Sequence, residues 1–111
     1  MGYQASYAEG SAPAQQDKSG GWLLLEFGTN WCGHCMAAQP ALKQVLTDYP
    51  QLKHIKEEDG PGRKLGRYFK VKLWPTLVLL QDGEEVARLV RPTTEVAIRG
   101  MLEAVIGKAD T

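Results

Sequence analysis

Two cysteines stand three positions apart in the run Trp31-Cys32-Gly33-His34-Cys35, and the chain has no others. A disulfide closed over so short a loop removes little entropy from the unfolded chain, so stabilising the fold is a poor reason for the pair. Small disulfide-framed domains also use more cysteines and longer loops. The spacing suits thiol–disulfide exchange instead. There a thiolate attacks a disulfide sulfur, and a second thiol resolves the mixed disulfide. Cys-x-x-Cys at a helix start supplies both groups. Cys32 would sit at the N-terminal end, where unpaired N–H groups and the helix dipole favour negative charge, and Cys35 one turn inside. Gly33 lets the loop tighten and leaves space for a partner chain. His34 can place positive charge near the Cys32 thiolate, which stabilises the dithiol and makes the disulfide more oxidising.

Other uses of the pair are weaker. A structural zinc site needs four ligands, and only His34 and His54 remain as nitrogen donors. His34 lies between the cysteines and His54 belongs to another element, so no metal is expected. Two inert buried cysteines would not need a Trp-Cys-Gly-His-Cys turn around them.

The elements that must position this turn follow from patterning. Trp22 to Phe27 is a short apolar run ending at Gly28 and reads as a buried strand. Cys35 to Leu46 reads as a helix, kinked at Pro40 and ended by Tyr49-Pro50. Leu52 to Lys56 is a second strand, Asp59-Gly60-Pro61-Gly62 a turn, and Arg63 to Phe69 a short helix. Thr76 to Leu80 and Glu85 to Val90 flank Asp82-Gly83 and form a hairpin. A last helix opens at Pro92-Thr93-Thr94, where either threonine can cap it, and shows Ile98, Met101, Leu102, Val105 and Ile106 at helical spacing. Two βα units feeding a hairpin imply an α/β fold, a mixed sheet with helices on both faces. Residues 1–21 are weakly patterned or a short helix, and 22–111 form the domain. Trp22 and Tyr68 are expected in the core, and Met36 in packing or facing a substrate.

The segment Leu24 to Cys35 resembles the active-site strand and helix start of the thioredoxin superfamily. Its Cys-Gly-His-Cys core is that of protein disulfide isomerases, whereas thioredoxins have proline in place of His34. Pro40 matches the family's kinking proline, and Trp74-Pro75-Thr76 resembles its second signature. The resemblance implies a three-layer sandwich around a central mixed sheet of four or five strands. It also implies a cis Pro75 facing the cysteines, with the backbone before it pairing with a substrate segment; Trp31, Trp74, Pro75 and Thr76 are then the substrate-binding residues. Glu26, six residues before Cys32, matches the family's buried acid, and Lys56 falls where a lysine pairs with that acid. Burial raises a carboxyl pKa, which suits proton exchange with Cys35, and Lys56 would tune it. An edge-facing Glu26 and a solvated Lys56 are the plainer readings. Three departures stand out. Gly28 replaces an aromatic residue beside the site, Trp74 is bulkier than the usual residue before the proline, and the family's N-terminal strand, which would be the fifth, is hard to find in residues 1–21.

Composition narrows the partners. The 111 residues carry 13 basic and 13 acidic side chains, so neither a nucleic acid nor an anionic membrane surface is addressed by a charge excess. No apolar run approaches the ~20 residues that span a bilayer, and residues 1–20 lack the apolar core of a signal peptide. A monomer is expected in the cytoplasm, or outside it if a leader has been removed. The implied partners are protein thiols and disulfides and a redox-recycling protein, with no cofactor beyond the Cys32–Cys35 couple. A cytosolic address argues for a reductant, whereas His34 and Glu26 argue for a more oxidising couple. The alternative is a redox-inactive binding or scaffold protein of the same fold.

Overall fold

The computed structural model describes residues 21–107. In chain order these form β1 (Trp22–Gly28), α1 (Gly33–Thr47), β2 (Lys53–Glu58), α2 (Lys64–Tyr68), β3 (Thr76–Gln81), β4 (Glu84–Val90) and α3 (Glu95–Val105). The expected order of elements is present, with boundaries moved by a residue or two. Among the described residues the sheet has four strands in the order β2-β1-β3-β4. β1 runs parallel to β2 and antiparallel to β3, and β3 is antiparallel to β4. Mixed polarity follows from the connections: α1 carries the chain back for a parallel pairing, whereas Asp82-Gly83 turns it directly. Both turn residues have positive φ, 53° and 86°, as a type I′ hairpin requires.

Alternation along β1 and β3 sends buried side chains to both faces. Leu24, Leu77 and Leu79 pack with Leu42, Val45 and Leu46 of α1 and with Ile98 and Leu102 of α3. Leu25, Phe27, Val78 and Leu80 pack with Ile55 and with Phe69 at the end of α2. Helices therefore cover both faces, giving the α/β three-layer arrangement. The sheet's inner strands are apolar on both sides, as a doubly covered sheet demands. α3 is capped by Thr94, whose hydroxyl accepts the Ala97 N–H at 3.1 Å.

Two expectations shift. Tyr68 is not in the core: it is 58% exposed and lies edge-on against Phe69, because α2 is too short to turn a second side inward. Trp22 is only half-buried, at the margin of the cluster under α1 and α3. The possible short helix and the fifth strand in residues 1–21 fall, Gly21 apart, outside the described residues.

Candidate active site

β1 ends and α1 begins at the cysteine turn. Cys32 is the N-cap of α1, its backbone extended (φ −82°, ψ 123°), and its sulfur accepts the Cys35 N–H at 3.3 Å. A capping sulfur thus occupies the place a Ser or Asp oxygen usually takes, at the end of the helix where unpaired N–H groups gather. Cys32 is half-buried and Cys35 fully buried, and both are free thiols. The Cys32 sulfur can thus be reached from solvent, and Cys35 is withheld from it. Gly33 and His34 are exposed between them. A Cβ at Gly33 would meet nothing within 4 Å, so the space it leaves opens outward, toward an incoming chain.

The rim is built from two tryptophans and a proline. Trp31 is 75% exposed and meets Trp74 edge to face, ring centres 5.8 Å apart. The Trp74 indole donates to Asp59 Oδ2 at 2.9 Å, and the Asp59 N–H donates to the Gly28 carbonyl at 3.0 Å. The bulk at position 74 is therefore tied down beside the end of β1, where Gly28 leaves the strand bare. The Trp74–Pro75 peptide bond is cis, and Pro75 is buried. Thr76 is buried too, its hydroxyl donating to the Leu73 carbonyl at 2.6 Å, so it fastens the turn from within. Arg91 completes this edge. Its backbone N–H donates to the Pro75 carbonyl at 2.8 Å and its Nε to the Trp74 carbonyl at 2.9 Å, with φ at 50°. Met36 is exposed on α1 near the same rim.

Behind Cys35 lies a polar cluster inside an otherwise apolar face. Glu26 is fully buried; its Oε1 is 2.7 Å from His54 Nε2, and its Oε2 accepts from Gln39 Nε2 at 2.9 Å. The same Gln39 nitrogen donates to the Cys35 carbonyl at 2.6 Å, and Gln39 Oε1 accepts from Lys56 Nζ at 2.8 Å. Lys56 is only 2% exposed. Burial pulls its pKa below the ordinary 10.5, while the charges of Glu26 and Cys35 oppose that shift. β1 and β2 align Glu26 with Lys56 and Leu24 with His54, so all three polar residues face α1 by register alone.

The structure brings together Glu26, Lys56 and Cys35 on one side and Trp31, Trp74 and Pro75 on the other. Four contributors escaped the sequence reading. His54 was weighed only as a zinc donor, and a lone histidine gives no spacing signal. Gln39, i+4 from Cys35, lies on the same helix face, which was a signal available in principle. Asp59 was read as part of a turn. Arg91 followed a strand and had no motif. Among the described residues no group of three or more His, Cys, Asp or Glu side chains could hold a metal ion, and no helix is long and apolar enough to cross a membrane.

Comparison with known proteins agrees with this geometry. The thioredoxin family model matches residues 13–104. The thioredoxin of Chlamydia pneumoniae is 34% identical over 70 residues, 63% of this chain and 69% of that protein. A thioredoxin H-type of Fagopyrum esculentum is 28% identical over 72 residues, 65% of this chain and 62% of the relative's length. The structure of thioredoxin 2 from Pseudomonas aeruginosa PAO1 in its reduced form superposes with a TM-score of 0.82 at 52% identity, covering 95% of this chain and 98% of that one.

Proposed function

Because the chain belongs to the thioredoxin family, we propose that it is a thiol–disulfide oxidoreductase that reduces disulfides in partner proteins through Cys32 and Cys35. The observation that carries this reading is the unequal setting of the two sulfurs. Cys32 caps α1 at the surface, and Cys35 is buried above Glu26 and Gln39.

In reduction, the Cys32 thiolate attacks one sulfur of the substrate disulfide and displaces the other as a thiolate. Cys35 then gives up its proton and attacks Cys32 Sγ, and the second substrate sulfur leaves. Two electrons pass to the substrate and a Cys32–Cys35 disulfide forms. Glu26 accepts the Cys35 proton, its carboxylate held by Gln39, whose amide oxygen Lys56 holds in turn. Trp31, Trp74, Pro75 and Thr76 form and brace the groove for the substrate chain, with Gly33 leaving its entrance open. The couple needs no metal or organic cofactor, and a cytoplasmic recycling partner returns the dithiol. The protein works as a monomer.

Insulin reduction tests the assignment. Turnover by the wild type that disappears in Cys32→Ser is expected; equal, negligible turnover in both would favour a scaffold role. A second reading rests on His34, exposed between the cysteines, because a positive charge there favours the dithiol and hence a more oxidising couple. Titration against glutathione separates the two. A midpoint near about −270 mV fits the reductant, and one near about −180 mV fits an isomerase-like couple.

A further inference from the structure

The exchange steps use Cys32, Cys35, Glu26 and Lys56, yet another titratable side chain is sealed into the same cluster. His54 and Glu26 are both fully buried at their side chains, and their polar atoms lie 2.7 Å apart. We propose that His54 and Glu26 hold the Cys35 proton as one unit, with His54 a positioning residue that shares the proton during resolution of the mixed disulfide. This deepens the proposed function and rests on its assignment of Glu26 as the proton acceptor.

The geometry supports it in three ways. First, the two Glu26 oxygens are engaged by different partners, Oε1 by His54 and Oε2 by Gln39, so the carboxylate is oriented from two elements at once. Second, Gln39 links the carboxylate to the Cys35 backbone, which fixes the acceptor relative to the resolving cysteine. Third, the groups around Glu26 that carry charge or a labile proton belong to one cluster: His54 and Lys56 from β2, with the charges of Glu26 and of Cys35 from α1 both acting on Lys56. Leu24, the register partner of His54 on β1, is apolar.

Two ionisable groups this close, shielded from water, titrate as a pair rather than singly. When Cys35 attacks Cys32 Sγ, its S–H bond breaks and its electrons form the new S–S bond, the Cys32–substrate S–S bond breaks with the substrate sulfur leaving as a thiolate, and the Cys35 proton passes to the pair. It rests either on the Glu26 carboxyl or on His54 as imidazolium facing carboxylate. In the reverse direction the pair returns it to Cys35. The pair thus has two places for one proton, and replacing His54 removes one of them.

The test isolates the resolving step. A mixed disulfide of Cys32 with thionitrobenzoate releases a coloured thiol when Cys35 attacks, and its rate is followed against pH for wild type, Glu26→Gln and His54→Gln. His54→Gln retains an N–H donor but has no proton site. Its acid limb should move about 1 unit to lower pH, whereas Glu26→Gln should be slower by about 100-fold throughout. A His54→Gln profile that superposes on wild type, or shifts upward, while Glu26→Gln is slow overturns the pairing alone. A normal Glu26→Gln rate overturns the assignment of Glu26 and the pairing with it. Nitrogen NMR of His54 in the wild type decides independently of any variant. Titration midpoints that differ between dithiol and disulfide forms are expected, and identical ones overturn the proposal.

Discussion

Leu24, Glu26, His54 and Lys56 lie on the α1 side of β1 and β2, and Leu25, Phe27 and Ile55 alternate with them toward α2. The same two strands, at the same depth, thus carry a polar cluster under the cysteines and, behind it, a face that is apolar but for the buried Glu57 opposite Phe27. Phe27 and Phe69 meet with ring centres 5.8 Å apart on the apolar side, where shape and area do the work. On the other side each buried polar group is held by a neighbour, because an unpartnered one would cost about 1–3 kcal/mol. Apolar residues of similar volume often fill such a space at least as stably, so cohesion alone does not account for the polar cluster, and the proposed proton transfer gives it a use.

The contrast can be broken at either face. The largest effect expected is on the apolar side. Phe27→Ala should cost about 3–5 kcal/mol in denaturant unfolding while each folded molecule exchanges disulfides at its normal rate. A comparable loss of rate per folded molecule would mean the faces are not separable. On the polar side, the combined change Glu26→Leu, His54→Val, Lys56→Met should leave stability equal or raise it by up to about 4 kcal/mol. The same protein should resolve mixed disulfides about 100-fold more slowly. A destabilisation like that of Phe27→Ala would give the polar cluster a structural role after all. Ile55→Val should cost about 0.5–1.5 kcal/mol with no kinetic trace, and unfolding with stopped-flow exchange checks both.

The smallest effect is one of pH. The folded pKa of Lys56 is lowered by burial, so between that value and 10.5 the unfolded chain binds more protons than the folded one. Stability from this group is present above the unfolded pKa and is lost as pH falls through the folded one. Lys56→Met should therefore flatten the rise of unfolding free energy with pH in the alkaline range. An unchanged slope would show that Lys56 does not supply it.

These faces were not equally legible. The apolar one follows from alternation: Leu25, Phe27, Val78 and Leu80 sit in strands whose period and β-forming residues declare them. The polar face was readable only where a motif fixed a distance, as with Glu26 six residues before Cys32. His54 has no such spacing, and the i+4 step from Cys35 to Gln39 gives a helix face but no partner; their roles arise from the parallel register of β1 with β2 and from α1 crossing above. Lys56 looked like one charge among Glu57 and Glu58, and only the pairing shows that it turns inward. At the rim, Trp74 signalled bulk but not its tether, because Asp59 is fifteen positions away and reaches it across a turn.

That tether also limits what can change together. α2 brings Gly66 against the Asp59 carboxyl group so closely that a Cβ there would overlap it. Any side chain at 66 evicts the carboxylate, and the eviction frees the indole that Asp59 holds. Positions 59, 66 and 74, spread over a loop, a helix and the residue before the proline, should therefore change together. Variants selected for function from a randomised library should accept alanine at 66 only alongside a replaced Trp74. The same triple should mark, in any related sequence that carries it, a groove wall anchored from the layer opposite the cysteines.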